Sequence, residues 1–170
     1  MPLLLADLAC FFIFLHLFRQ KEKEVLLYYF LSPIIIYAAF IHSQLDLIPT
    51  VFLFASVFLL KERKLWLSMV VYGLALALKT NVVLVLPVML IYLLKEYGPL
   101  KTAKYAFGAA AVYLAIALPY LFSDGYQTLV LFNKKQQLLL DLFVTIGDVK
   151  IYASLFVLLI VYLRFYFYKK

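Results

Sequence analysis

His42-Ser43-Gln44-Leu45-Asp46-Leu47-Ile48-Pro49 is a knot of polar groups between two stretches that are almost pure hydrocarbon. Val25 to Ile41 precedes it, and the run Ile48 to Leu60 begins at its last two residues. Water solvates such groups at the surface of a soluble protein, but a bilayer interior does not. Ionisable residues at the edge of a membrane-length apolar run mark a candidate site by default.

The whole chain carries the same pattern. Of its 170 residues 67% are hydrophobic, and the mean hydropathy is +1.01. Soluble domains are roughly half apolar. One small core cannot bury this much apolar side chain, so lipid must solvate the rest. The apolar runs are continuous rather than alternating, which predicts helices and not a barrel. The expected fold is all-α: a polytopic transmembrane helical bundle of about seven spans, some short or re-entrant. The runs lie near 3–18, 25–41, 48–60, 65–78, 82–94, 103–122 and 151–167. A straight span needs about 20 residues, and the third to fifth runs fall short of that. Residues 1–170 read as a single domain. Within it, 123–150 is the longest connector, external and amphipathic. Leu129, Phe132, Leu139, Leu140 and Phe143 suggest a helix lying on the membrane surface.

The net charge of +7 is explained by where the cations fall. Arg19, Lys21, Lys23, Lys61, Arg63, Lys64, Lys95, Lys101, Lys104, Arg164, Lys169 and Lys170 all map to one side of the alternating connectors. By the positive-inside rule that side is cytosolic. The carboxyl terminus is then cytosolic and the amino terminus external. Topology accounts for the charge, so no nucleic-acid partner is expected. Asp46, Asp124, Asp141 and Asp148 sort to the opposite side, with Asp7 near it. Met1-Pro2 leads directly into Leu3-Leu4-Leu5 and Asp7, unlike a cleavable signal. The lone Cys10 reads as a small hydrophobe.

Within the polar knot, Asp46 is suited to accept a proton, bind a sugar hydroxyl or hold a divalent cation. Gln44 is suited to hydrogen-bond a sugar, and His42 to donate to a phosphate. The plain alternative is a polar loop in which Asp46 favours a helix amino terminus. Lys79 is the one cation in the short external connectors, suited to a lipid-linked phosphate or to snorkelling. Asp7 lies a turn or two inside the first run and either faces a wet cavity or sits above the membrane. Lys134 and Lys135 suit an anionic headgroup, or form a solvated face. His16 reads as an interfacial or packed histidine. No protein metal site is predicted.

Ser32-Pro33-Ile34-Ile35-Ile36, the knot 42–49, Lys61-Glu62-Arg63-Lys64, Tyr72-Gly73-Leu74-Ala75-Leu76-Ala77-Leu78-Lys79 and Leu84-Val85-Leu86-Pro87 follow one another in order. This order resembles the glycosyltransferase C superfamily. Many members carry Asn-Pro, then His-Gly-Gln-Phe-Asp-(small)-Ile-Pro, then Gly-Leu-Ala and a later Lys and Pro. Here Ser32 stands for Asn, Ser43 for Gly and Leu45 for Phe. The resemblance covers roughly the first hundred residues. It implies a mannosyltransferase-like membrane enzyme, or part of one, that transfers a sugar from a polyprenyl-phosphate donor to a cell-envelope or lipid-linked acceptor on the external face. His42, Gln44, Asp46 and Lys79 would line the substrate site, with Asp46 the weak candidate base. No cofactor is specified, though a divalent cation is compatible.

Members usually place a catalytic acidic motif in a large first external loop. This chain opens at what resembles their third span. The resemblance therefore implies a truncated piece, or a partner polypeptide that supplies the amino-terminal spans. The competing reading is non-enzymatic: a protein that binds or translocates a lipid-linked substrate, or an inactive remnant.

Overall fold

Helix boundaries follow the punctuation of the sequence. The computed structural model describes residues 2–37, 46–131, 143–146 and 149–168. α1 spans Pro2–Leu17. α2 begins at Glu22–Val25 and runs on as a π-helical turn over Leu26–Phe30. Pro33 excludes helical geometry from Ser32, which is extended. A separate short helix, α3, then covers Pro33–Ile36. The run expected to be continuous over 25–41 is thus broken at Leu31 and Ser32.

α4, Leu47–Lys61, and α5, Leu65–Leu78, match the expected runs closely. Pro49 sits in the first turn of α4, where its missing N–H costs no hydrogen bond. The turn between the two helices is a Schellman cap. Lys64 N–H donates to Leu59 C=O (2.9 Å) and Arg63 N–H to Leu60 C=O (3.1 Å). Arg63 takes the left-handed conformation this cap requires, at φ 60°.

A 3₁₀ helix, Thr80–Val85, leads into α6, Leu86–Tyr97. Gly98, at φ 79°, ends α6, and Pro99 opens α7, Pro99–Ala117. α8, Asp124–Tyr126, is capped by Ser123 and continues as a π-helical turn over Gln127–Leu131. The last helix, α9, spans Ala153–Phe167.

The chain is thus predominantly helical among the described residues. The exception falls in the connector expected to be helical. β1, Phe143–Ile146, pairs antiparallel with β2, Val149–Tyr152, in the register Phe143 to Tyr152 and Ile146 to Val149. Both strands are rich in β-branched and aromatic residues. Gly147-Asp148 between them is a dipeptide that favours two-residue hairpin loops. Phe143 therefore belongs to a strand and not to a surface helical stripe. Lys134 and Lys135 lie outside the described residues.

Thr80–Tyr97 is the one described helical run long and apolar enough to cross a membrane. Pro2–Leu17, Leu47–Lys61, Leu65–Leu78 and Ala153–Phe167 are apolar but shorter.

Two compact units emerge. The first comprises Met1–Val82 with Lys104–Leu114, the second Val83–Ala103 with Ala115–Lys170. In the first, α4 packs against both α5 and α1. Phe14 meets Phe54 edge to face at 4.6 Å, and His16 meets Phe58 at 4.8 Å. Lys61 donates to the carbonyl of Leu17 at the end of α1. These contacts advance together along both helices, so α1 and α4 run parallel.

Buried polar groups fix how α4, α5 and α7 meet. Ser68 Oγ donates to the carbonyl of Ser56 (2.7 Å). That uses its only hydrogen, so the Tyr105 hydroxyl, 2.9 Å away, donates to Ser68. Tyr72, fully buried, donates to the carbonyl of Val82 (2.9 Å). Gly73 lets α5 approach α7: a Cβ there would lie 2.6 Å from Val112 Cβ and 2.8 Å from Ala109 O. Small residues permit such close helix crossings. In the second unit α9 packs on α6. Lys95 donates to the carbonyls of Phe165, Tyr166 and Tyr168 at the end of α9.

Gly73 and Gly108 should therefore respond differently to the same change. A methyl at Gly73 meets a Cβ and a backbone oxygen, while at Gly108 it meets the flexible end of Met69. Gly73→Ala is expected to cost about 1–3 kcal/mol, the usual range for overpacking, and Gly108→Ala clearly less. Thermal denaturation in detergent measures both.

Candidate functional site

Asp46 and Lys79 come from different connectors, yet they form an ion pair, Lys79 Nζ to Asp46 Oδ2. The α4–α5 hairpin explains the meeting. Asp46 precedes α4, Lys79 follows α5, and the helices have nearly equal lengths of 15 and 14 residues. Asp46 makes no side-chain cap to α4; its carboxylate turns to Lys79 instead. The helix start is held by Thr50, whose hydroxyl donates to the Asp46 carbonyl (2.7 Å). Lys79 is extended, and its N–H donates to Ala75 C=O (3.0 Å).

The pair is open to water. The Asp46 side chain is 57% exposed and that of Lys79 35%. An ammonium carries three N–H donors. With one directed at Asp46, the others meet no acidic partner among the described residues.

Asp7 is not part of this pair. It is 4% exposed, and the Tyr29 hydroxyl donates to its Oδ1 (2.8 Å). Tyr29 also packs edge to face on Phe14 at 4.9 Å. Asp7 therefore links α1 to the π-helical turn after α2. Sequence reasoning missed Tyr29. The usable signal was that a carboxylate in an apolar run requires a partner, and Tyr28-Tyr29 stands in the next run. His42 and Gln44, like Lys134 and Lys135, lie outside the described residues. Among the described residues no three His, Cys, Asp or Glu side chains gather as a metal site requires.

The order of these elements and the Asp46–Lys79 geometry can be set beside known families. The family model described as ALG3 protein matches residues 4–138, most of the chain. The chain belongs to the ALG3 protein family. ALG3 proteins are mannosyltransferases of the glycosyltransferase C type that depend on dolichol-phosphate mannose, so the superfamily resemblance seen in the sequence is confirmed. The ALG3 family is also an integral membrane one of the endoplasmic reticulum. No curated protein and no solved structure matches the chain. The matched range in this ALG3-family chain includes both halves of the Asp46–Lys79 pair and the Asp7–Tyr29 contact.

These two contacts differ in what they contribute to stability. Asp46→Asn or Lys79→Gln should change the unfolding free energy by less than about 1 kcal/mol, as for other exposed ion pairs. Tyr29→Phe leaves a buried carboxylate without its donor and should cost about 1–3 kcal/mol. Tyr29→Phe combined with Asp7→Leu should recover most of that loss. Unfolding midpoints of the four variants in detergent check the order.

Proposed function

We propose that Lys79, held by Asp46, binds the phosphate of a dolichyl-phosphate mannose donor at the lumenal boundary of the membrane. Two supports join here: membership in a family dependent on that donor, and the ion pair that fixes an accessible ammonium at the end of a hairpin. The ion pair is the observation that carries the assignment to these residues.

In the transfer, an acceptor hydroxyl attacks the anomeric carbon of mannose. The bond from that carbon to the phosphate oxygen breaks, the electron pair stays with the dolichyl phosphate, and the hydroxyl proton passes to a carboxylate. Negative charge grows on the departing phosphate. A fixed cation there favours the transition state over the ground state. Lys79 suits this role as a compact point charge with N–H donors to spare. Asp46 acts as a positioning residue: it anchors the ammonium while remaining too exposed to shield it. His42 and Gln44 belong to the same connector as Asp46 and are proposed to contact the sugar. The apolar runs are proposed as about seven spans. The end bearing Arg19 and Lys61 faces the cytosol, as does the carboxyl terminus, and the external face of the sequence reading corresponds to the lumen.

The test is mannosyl transfer from dolichyl-phosphate mannose by membranes expressing the full locus. Lys79→Ala should lower the rate about 10²–10³-fold, the usual effect of losing one oxyanion-type donor. Asp46→Asn should give a smaller loss. Normal rates in both variants, at normal expression, would remove the pair from the site. Donor retention without transfer by the unmodified protein would select the non-enzymatic reading.

A further inference from the structure

The opposite end of α1 and α4 carries a second feature, independent of the transfer site. Where the two helices finish, a cavity of about 440 Å³ opens between His16, Phe18, Arg19, Lys21, Lys61 and Glu62. α4 is 15 residues long, so this cavity lies about 22 Å from Asp46 along the helix axis. Three cations line it against one carboxylate. Lys61 spends one N–H on the Leu17 carbonyl (3.1 Å) and meets no acid among the described residues. Arg19 likewise meets no acid among them. Its Nη2 instead meets the His16 ring nitrogens, 3.1 Å from Nδ1 and 2.9 Å from Nε2. Glu62 is 3.6 Å from His16 rather than paired with either cation. Lys21 pairs with Glu24 at 3.1 Å.

A second groove, of about 380 Å³, adjoins this cavity and shares Phe18 and Lys21 with it. Phe14, Val25, Tyr28 and Tyr29 make it apolar, with Lys21 and Glu24 at its rim. A cationic chamber beside an aromatic groove, with Phe18 and Lys21 lining both, matches a ligand that is anionic at one end and hydrocarbon at the other. Basic pockets at the ends of membrane helices suit phospholipid headgroups.

We propose that this paired cavity binds one anionic phospholipid, its phosphate against Arg19 and Lys61 and an acyl chain along Phe14, Phe18 and Tyr28. Charge complementarity and the two lining residues that the cavities share, Phe18 and Lys21, carry the assignment. The lipid would hold the ends of α1 and α4 together from outside the transfer site.

The full chain, purified in detergent and mixed with phosphatidylinositol or phosphatidylcholine, is examined by native mass spectrometry. One phosphatidylinositol should be retained in preference to phosphatidylcholine. Arg19 and Phe18 are exposed, so their variants should fold normally. Arg19→Gln should weaken retention about fivefold, equivalent to about 1 kcal/mol for one basic contact. Phe18→Ala should weaken it as well, while Lys101→Gln should not. Equal retention of both lipids, or unchanged preference in both cavity variants, overturns the proposal. Displacement by inorganic phosphate alone would make this a simple anion site. Displacement by dolichyl phosphate more readily than by phosphatidylinositol would make it a donor site. Either result also overturns it. Mannosyl transfer is not read in this experiment, so its outcome is separate from that of Lys79→Ala.

Discussion

A polar atom buried among apolar helices must find its partner on a neighbouring helix, and this requirement sets the geometry of the first unit. Tyr105 donates to Ser68, and Ser68 to the carbonyl of Ser56. The three residues are nearly or fully buried. Each such bond adds modest net stability in a membrane protein, about 0.6 kcal/mol on average. Losing one partner strands the others, which is more costly. The chain of hydroxyls therefore selects one register for α4, α5 and α7. Gly73 makes that register available by letting α5 and α7 close to near backbone contact.

Register at the centre determines chemistry at the ends. α4 and α5 leave their shared turn with almost the same number of residues. The residue before one helix must then face the residue after the other. Sliding α5 by one turn would move Lys79 about 5 Å along the axis, outside the reach of a short aspartate. The Schellman cap with Arg63 in the left-handed region fixes the origin of that measurement. A weak, solvent-exposed ion pair is thereby held by buried contacts rather than by its own energy.

The sequence made the rods and their charged ends legible. Runs at 48–60 and 65–78 became α4 and α5 almost residue for residue, because uninterrupted apolar stretches bounded by charge leave little choice. Asp46 and Lys79 each stood out as the polar exception in an apolar setting. Their pairing was not legible, because it depends on equal helix lengths and on a three-helix register. The break at Ser32 was signalled by Pro33 but obscured by the hydrocarbon on both sides. Phe143 fitted a helical stripe counted from Leu129, so the four-residue alternation around Gly147-Asp148 was overlooked. The Asp7–Tyr29 contact required knowing that the turn after α2 folds back on α1, and the cavity beside Arg19 that α1 and α4 run parallel, which no single run reveals.

The two ends of the first unit use charge in different ways. Beside Asp46, one cation is matched by one anion, so the ammonium is fixed in place and still accessible. Beside Lys61, cations outnumber carboxylates, and Arg19 rests on an imidazole instead of an acid. An excess of this kind suffices to orient a chain across a membrane, but orientation alone requires no particular arrangement. Here the excess is arranged: Lys61 bridges to the end of α1, Arg19 meets the His16 ring nitrogens, and both border a cavity that shares Phe18 and Lys21 with an aromatic groove. Charges that served only topology would be free to spread along the connectors. Their convergence on one cavity is what a bound anionic headgroup explains and the positive-inside rule does not.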